Sequence, residues 1–196
     1  KLDKTWVGGP IGLPDYWTPQ SEYPSGRVTL KATNDTPAKV DRLRIVDAAP
    51  GAASPFDTFN LKGFVALPDA VSGSVAAKTL VVLTNQDGTV ITDPATPTVQ
   101  GVKPAYARGL TAAQLENVVS IDITYEGRIA SAATATVTFD LQLRAKKRSD
   151  GLPVTGDPAQ ISNVAEATVE DLGGAGGVHS VAARDDAAMA FEENLT

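Results

Sequence analysis

Apolar and polar residues alternate along at least six segments of this chain, and this pattern limits its fold more than any other feature. Successive side chains of a β-strand point to opposite faces, so alternation predicts strands with one buried and one solvent-facing side. In the two clearest segments, the apolar residues at every second position are Val119, Ile121, Ile123 and Tyr125, and then Val137, Phe139, Leu141 and Leu143. The pattern predicts an all-β, mainly antiparallel chain folded as a two-sheet sandwich.

Shorter segments extend this prediction along the chain. Further strands are expected at 27–33, 40–47, 80–84 and 89–92, and the last two flank a run, Asn85-Gln86-Asp87-Gly88, with hairpin-turn chemistry. The one helical signal is at 110–117, where Thr111 is a candidate N-cap and Gln114 completes a capping box. We therefore expect one short helix in an otherwise β chain.

No composition shift divides the chain convincingly into two domains. The strongest candidate boundary is the Gly-rich run 172–177, but a strand-like segment, 178–191, follows it. We interpret the run as an internal loop that leads to a last strand. The sequence thus predicts a single domain over 1–196, with a long insertion around 56–133.

Composition excludes several classes of protein. With 23 acidic and 17 basic residues and a net charge of −6, the chain does not have the charge of a general nucleic-acid binder. It has no cysteine and therefore no disulfide. No apolar stretch is long enough to span a bilayer, so we expect no membrane contact within it. Because it begins at Lys1 without an initiator Met or a signal peptide, we interpret it as a fragment of a longer polypeptide.

Three polar residues occupy strand positions at which alternation predicts a buried side chain. Lys4 shares a face with Leu2 and Trp6. Asp47 shares a face with Leu43 and Ile45. Asn163 shares one with the apolar residues at every second position of its strand, Ile161, Ala165, Ala167 and Val169. An amine, a carboxyl group and a carboxamide are therefore expected to face one core.

Burial would make these three groups reactive towards one another. Loss of solvation lowers the pKa of a lysine and raises that of a carboxyl group, so both become neutral. Neutral Lys4 is a nucleophile, and protonated Asp47 can polarise the Asn163 carboxamide and relay protons to departing ammonia. The product is an isopeptide bond between Lys4 and Asn163, with Asp47 as the promoting acid.

An ordinary structural explanation stays open for each residue. Lys4 could extend to solvent, Asp47 could cap the turn that follows it, and Asn163 could satisfy a loop backbone. Lys31 is a rival amine and Glu166 a rival acid, but both have the opposite strand parity, which favours solvent-facing side chains.

Three motifs in a fixed order resemble those of a known family. The runs 27–34 (RVTLKATN), 43–47 (LRIVD) and 161–165 (ISNVA) are similar to the conserved-repeat, collagen-adhesin A-type domains of Gram-positive surface proteins. The resemblance spans roughly 4–169, although the region 56–133 is longer than a minimal repeat. It implies an immunoglobulin-like β-sandwich in an extracellular, cell-wall-anchored adhesin or pilin stalk, often with an internal isopeptide bond.

Other candidate sites have simpler explanations. The segment 152–156 (LPVTG) is similar to a sortase sorting signal, but neither an apolar span nor a basic tail follows it, so a loop is the better interpretation. The acids near 85–88 and at Asp185-Asp186 lack the ligand pattern of a calcium loop. His179 is the only histidine, which excludes a triad that needs several. We expect no metal and no cofactor.

The sequence therefore predicts a structural or adhesive surface module that is not an enzyme. The alternative is a module that binds a host matrix protein or a glycan through the insertion and the N-terminal aromatic residues, Trp6, Tyr16, Trp17 and Tyr23. A carboxylate-dependent glycosidase is a third hypothesis, but no paired acidic motif in the sequence supports it.

Overall fold

The computed structural model describes residues 1–173 and 177–192, which contain nine β-strands, two α-helices and three short 3-10 helices at Gln20–Glu22, Pro55–Asp57 and Ala76–Lys78. The strands are β1 (Leu2–Val7), β2 (Ser25–Thr33), β3 (Val40–Asp47), β4 (Phe59–Ala66), β5 (Leu80–Asn85), β6 (Val118–Ile129), β7 (Thr134–Leu143), β8 (Gln160–Asp171) and β9 (His179–Ala190). The helices are α1 (Pro104–Arg108) and α2 (Ala112–Glu116). Within the described residues, no helix is long and apolar enough to cross a membrane.

The strands form two antiparallel sheets. The four-stranded sheet has the order β1-β2-β7-β4, and the five-stranded sheet has the order β5-β6-β3-β8-β9. Both faces that enclose the core are lined by the alternate apolar residues, and the largest fully buried side chains include Tyr125, Phe139, Leu30 and Ile123. This is the predicted all-β, immunoglobulin-like sandwich.

The edge strands β1 and β9 lie on the same side of the sandwich. β1 belongs to the four-stranded sheet and β9 to the five-stranded one, and the two strands pack beside each other. Just after β1, the Ile11 N–H donates to the Ala190 carbonyl at 2.8 Å, and Ile11 forms a parallel bridge with Phe191. The two sheets are therefore joined along this edge by the first and last strands.

Trp6 fills the end of this edge. Its ring lies so close to Gly26 of β2 that a Cβ at that position would be 2.2 Å from the ring. Only glycine permits this approach, and it lets the indole pack against Phe59 with ring centroids 5.8 Å apart. Trp6 is therefore a core side chain, as is the partly buried Tyr23.

Most predicted elements are present, and the differences fall within residues 56–133. The predicted helix is α2, with both hydrogen bonds of the capping box between Thr111 and Gln114. Residues 89–92 form only a bridge, Thr84 to Val90, instead of a full strand. β4 and α1 were not predicted. The last strand is confirmed as β9, while the centre of the Gly-rich loop, 174–176, lies outside the described residues.

Candidate cross-link site

The amine of the site comes from the first strand. Lys4 is opposite Leu30 in the β1–β2 ladder, and the strand alternates so that Leu2 and Lys4 are both buried. No part of the Lys4 side chain is exposed. The strand parity therefore places a lysine inside the sandwich, as the sequence predicted.

The carboxyl group comes from the last residue of β3. The Asp47 side chain has no exposed surface, and its Oδ2 lies 2.8 Å from Lys4 Nζ. Its other oxygen, Oδ1, has no hydrogen-bond partner among the described residues. The acid and the amine thus meet inside the core, 43 residues apart in sequence.

Burial shifts the pKa of both groups towards the neutral pair. Desolvation is the largest effect on each: it lowers the pKa of the Lys4 amine and raises the pKa of the Asp47 carboxyl group. Their mutual attraction and hydrogen bond oppose these shifts without reversing them. Burial therefore moves both groups towards an uncharged amine next to a protonated carboxyl group, which is the combination that amide formation requires.

The carboxamide comes from β8, the neighbour of β3. Asp47 is opposite Ala165 in the β3–β8 ladder, and Asn163 is two residues along β8 on the same face. The carboxamide is close enough to Asp47 to act on its carboxyl group, and it is the last of the influences that lower the pKa of that group. Neither Asn163 Oδ1 nor Nδ2, however, meets hydrogen-bond geometry with any described residue, although the side chain is completely buried.

An unsatisfied buried carboxamide is costly, at roughly 1–3 kcal/mol for each lost hydrogen bond. The carboxamide is also free to react, because no donor or acceptor among the described residues forms a hydrogen bond with it. The explanation that Asn163 satisfies a loop backbone, and the one in which Lys4 extends to solvent, both disagree with these contacts.

The two rival groups lie on the outer faces of the sheets. Lys31 is exposed on β2. Glu166 of β8 accepts a hydrogen bond from Arg184 Nε at 2.6 Å. Parity therefore separated the inward-facing Lys4 and Asn163 from these two residues correctly.

The sorting-like segment, 152–156, is a loop fixed by main-chain hydrogen bonds. In the sorting-like segment, the Val154 N–H donates to Ala145 at 3.0 Å, and Leu152 accepts from the Lys147 N–H at 2.9 Å. Across residues 1–173 and 177–192, no cluster of three or more His, Cys, Asp or Glu side chains is arranged to hold a metal ion. His179 is exposed at the start of β9.

One residue at the site was not predicted as part of it. Asp185 of β9 accepts a hydrogen bond from the Lys4 main-chain N–H, with its Oδ2 2.6 Å from the nitrogen. In the sequence, Asp185 is notable only as one of two adjacent acidic residues, Asp185 and Asp186. Its parity with Ala183, Ala187 and Met189 was the available signal, because that face of β9 is directed towards the core.

Comparisons with known proteins place surface modules among the structural neighbours. No family model matches the chain, and no curated protein matches it. The collagen-binding subdomain of the Enterococcus faecalis surface protein ACE is 8% identical, with a TM-score of 0.39 over 96% of this chain and 95% of its own. The Bacillus cereus major pilin subunit BcpA is 11% identical, with a TM-score of 0.38 over 97% of this chain and 39% of its own.

A third neighbour is of another kind. AvmM, which catalyses macrocyclisation in alchivemycin A biosynthesis, is 12% identical, with a TM-score of 0.32 over 100% of this chain and 92% of its own. Adhesin and pilin domains, the class that the sequence motifs resemble, are thus among the structural neighbours of the chain.

Proposed function

We propose that this chain is a structural or adhesive module of a bacterial surface protein, and that an isopeptide bond between Lys4 and Asn163 closes its sandwich. One observation carries the proposal: a buried Lys4–Asp47 pair, 2.8 Å apart, lies beside an Asn163 carboxamide that has no hydrogen-bond partner among the described residues. An extracellular, cell-wall-anchored location and a single domain over 1–196 belong to the same proposal.

The reaction needs only these three side chains. Neutral Lys4 Nζ attacks the Asn163 Cγ, while the protonated Asp47 carboxyl group donates a hydrogen bond to Oδ1 and stabilises the negative charge that develops there. Asp47 then passes the proton lost by Nζ to Nδ2, and the bond from Cγ to Nδ2 breaks. One amide bond forms, one breaks, and one ammonia leaves.

Burial drives this reaction in two ways. The folded sandwich holds the reacting groups together, which removes the entropic cost of bringing them into contact. The neutral product amide also replaces an amine and a carboxamide that the core solvates poorly. The chain therefore acts on itself once and does not turn over a substrate.

The position of the bond suits a module under tension. Lys4 belongs to the first strand of one sheet and Asn163 to the penultimate strand of the other. A force that enters before Lys4 and leaves after Asn163 would pass through the covalent bond, so that residues 5–162 carry none of it. In a chain that has no cysteine, such a bond would do what a disulfide does elsewhere.

The intact mass of the purified protein tests the proposal. The protein is expected to weigh one ammonia less than its sequence mass, and peptide mapping should join the peptides that contain Lys4 and Asn163. Lys4→Ala, Asn163→Ala and Asp47→Ala should each have the full mass of their sequences.

Lys31→Ala is the matched control, because it removes a lysine from the neighbouring strand at an exposed position. It should keep the ammonia deficit. A wild-type mass equal to the sequence mass would end the proposal, and a deficit that only Lys31→Ala removed would transfer the role of the amine to Lys31. The loss of one water, mapped to Lys4 and Asp47, would show that the carboxyl group and not the carboxamide is the acceptor.

A second candidate function is binding of a host matrix protein or a glycan. Of the four N-terminal aromatic residues, Trp6 and Tyr23 pack against the core, whereas Tyr16 and Trp17 are 91% and 68% exposed. The rings of Tyr16 and Trp17 stack edge to face, with centroids 4.9 Å apart. An exposed aromatic pair of this kind favours a binding role.

Binding to immobilised fibrillar collagen and to a glycan array tests this candidate. Binding by the wild-type protein that the Tyr16→Ala/Trp17→Ala variant loses would support it. Equal binding by the two proteins, or none by either, would exclude this aromatic pair as the binding surface for those ligands.

A further inference from the structure

Lys4 is held at both of its ends by carboxylates of the opposite sheet. Its side-chain amine contacts Asp47 of β3, and its main-chain N–H donates to Asp185 of β9, 181 residues away in sequence. The β1–β2 ladder fixes Lys4 only relative to its own sheet. Its hydrogen bonds to Asp47 and Asp185 are the ones that join Lys4 itself directly to the sheet that contains Asn163.

The strand registers place the two acids at one level of the five-stranded sheet. Asp47 is opposite Ala165, and Ala165 is opposite Asp185, so the three residues form one row across β3, β8 and β9. Asn163 is two residues along β8 from this row, on the same face. Ala165 contributes only a methyl group between the two acids, which leaves room for a long side chain on that face.

The Asp185 contact occurs where the backbones of β1 and β9 do not bond directly. Further along, at Ile11, main-chain groups join the two segments. At Lys4 a side chain makes the connection instead, and it satisfies an N–H that an edge strand would otherwise leave open. The length of the aspartate side chain therefore sets the separation of Lys4 from β9.

We propose that Asp185 is a positioning residue for the Lys4–Asn163 cross-link, which holds the main chain of Lys4 so that Nζ meets the Asn163 carboxamide. This inference rests on the proposed isopeptide reaction. Asp185 touches neither reacting atom: it holds the main chain of Lys4. Its charge, like that of Asp186, raises the pKa of the Lys4 amine and so opposes the neutral form, which means that loss of the charge alone would not slow the reaction. Since a misplacement of about 1 Å can slow such a reaction about a hundredfold, one hydrogen bond between sheets is enough to control its rate.

The rate of ammonia loss during synthesis tests the proposal. The full chain is made by cell-free translation, samples are quenched in acid and denaturant, and the cross-linked fraction is read from the intact mass. Asp185→Ala should slow cross-linking by about tenfold or more. Asp185→Asn keeps an oxygen acceptor at the same distance and should react within a few-fold of the wild-type rate.

Two further variants separate position from charge. Asp185→Glu keeps both the charge and the acceptor but adds one methylene, so it should displace Lys4 and react slowly. It replaces Asp185→Ala in the test if Asp185→Ala does not fold. Asp186→Ala removes the neighbouring exposed acid and should react like the wild type. Each Asp185 change is also made in Asn163→Ala, where the urea midpoint shows whether the variant folds.

The outcomes are distinct. Folded Asp185→Ala or Asp185→Glu protein that cross-links at the wild-type rate would overturn the positioning role, as would Asp185→Asn that reacts as slowly as Asp185→Ala. If the wild-type protein never loses ammonia, the proposed function itself fails, and the positioning role fails with it. A wild-type deficit with unaffected Asp185 variants would remove only the role of Asp185.

Discussion

At the scale of single residues, the notable feature is an ionisable pair in a place where ionised groups are expensive. Lys4 and Asp47 have no exposed side-chain surface, and desolvation is the dominant influence on the pKa of each. A buried ion pair is commonly a poor source of stability, because the attraction between the charges barely offsets their lost hydration. A shift of both groups towards their neutral forms, followed by the proposed conversion of the Lys4 amine into an amide, would reduce that cost.

The stability of a variant without the amine should depend on pH through Asp47. In Lys4→Met the carboxyl group loses the partner that lowers its pKa, so the folded-state pKa rises further above the ordinary value of 3.8. The folded protein then holds a proton that the unfolded chain releases. The free energy of unfolding should therefore fall as pH rises above 3.8, by up to about 1.4 kcal/mol per pH unit.

Lys4→Met/Asp47→Asn is the matched control, since it has the same chain topology and no carboxyl group at the site. Urea unfolding of both proteins between pH 4 and pH 7 gives the difference in free energy, in which the titrations of all other acids cancel. A difference that stays constant over this range would show that Asp47 is not desolvated as described.

At the scale of elements, parity was a reliable guide where strands are regular. It predicted that Lys4, Asp47 and Asn163 face inwards, and it would have found Asp185 as well. It failed for β4, which has register shifts in its pairing with β7 after Leu61 and after Phe64. Each bulge moves the following residues to the other face, so the period of two is lost from the sequence.

The helices illustrate the same limit. The capping box made α2 recognisable, because its two hydrogen bonds require particular residues at Thr111 and Gln114. α1 has no side-chain cap and only five residues, too few to show a helical period. Nor could pattern alone show that Asn163 would be left without a hydrogen-bond partner, since that depends on how two sheets pack.

The sorting-like segment should resist cleavage while the protein is folded. Val154 and Leu152 are hydrogen-bonded to the chain at Ala145 and Lys147, and Gly156 lies against Leu13 and Phe191. A transpeptidase needs this segment as a free, extended strand, and the folded loop does not offer it. Incubation with a sortase and a glycine nucleophile should leave the protein intact.

A free peptide with the residues 150–158 is the control for that experiment, and it should be cleaved after Thr155 under the same conditions. Cleavage of the folded protein at the rate of the peptide would contradict the loop assignment and would indicate that the segment opens readily.

At the scale of the whole molecule, the cross-link would unite two sheets that otherwise meet through apolar contacts and a few hydrogen bonds. It joins the first strand to the penultimate one and so closes a loop that contains most of the core. By analogy with a disulfide, closing so long a loop restricts the unfolded chain and stabilises the fold by about 4–5 kcal/mol.

Because this stabilisation would come from restricting the unfolded chain, it leads to a specific prediction for denaturant unfolding. Without the bond, as in Asn163→Ala, the unfolded chain is more expanded and exposes more surface, so the slope of free energy against denaturant should increase while the midpoint falls. Ile123→Val is the control: it truncates a buried residue, should lower stability by about 0.5–1.5 kcal/mol, and should keep both the ammonia deficit and the wild-type slope. If Asn163→Ala lowers the midpoint with an unchanged slope, as a core truncation does, the stabilisation comes from packing around Asn163 and not from a covalently closed loop.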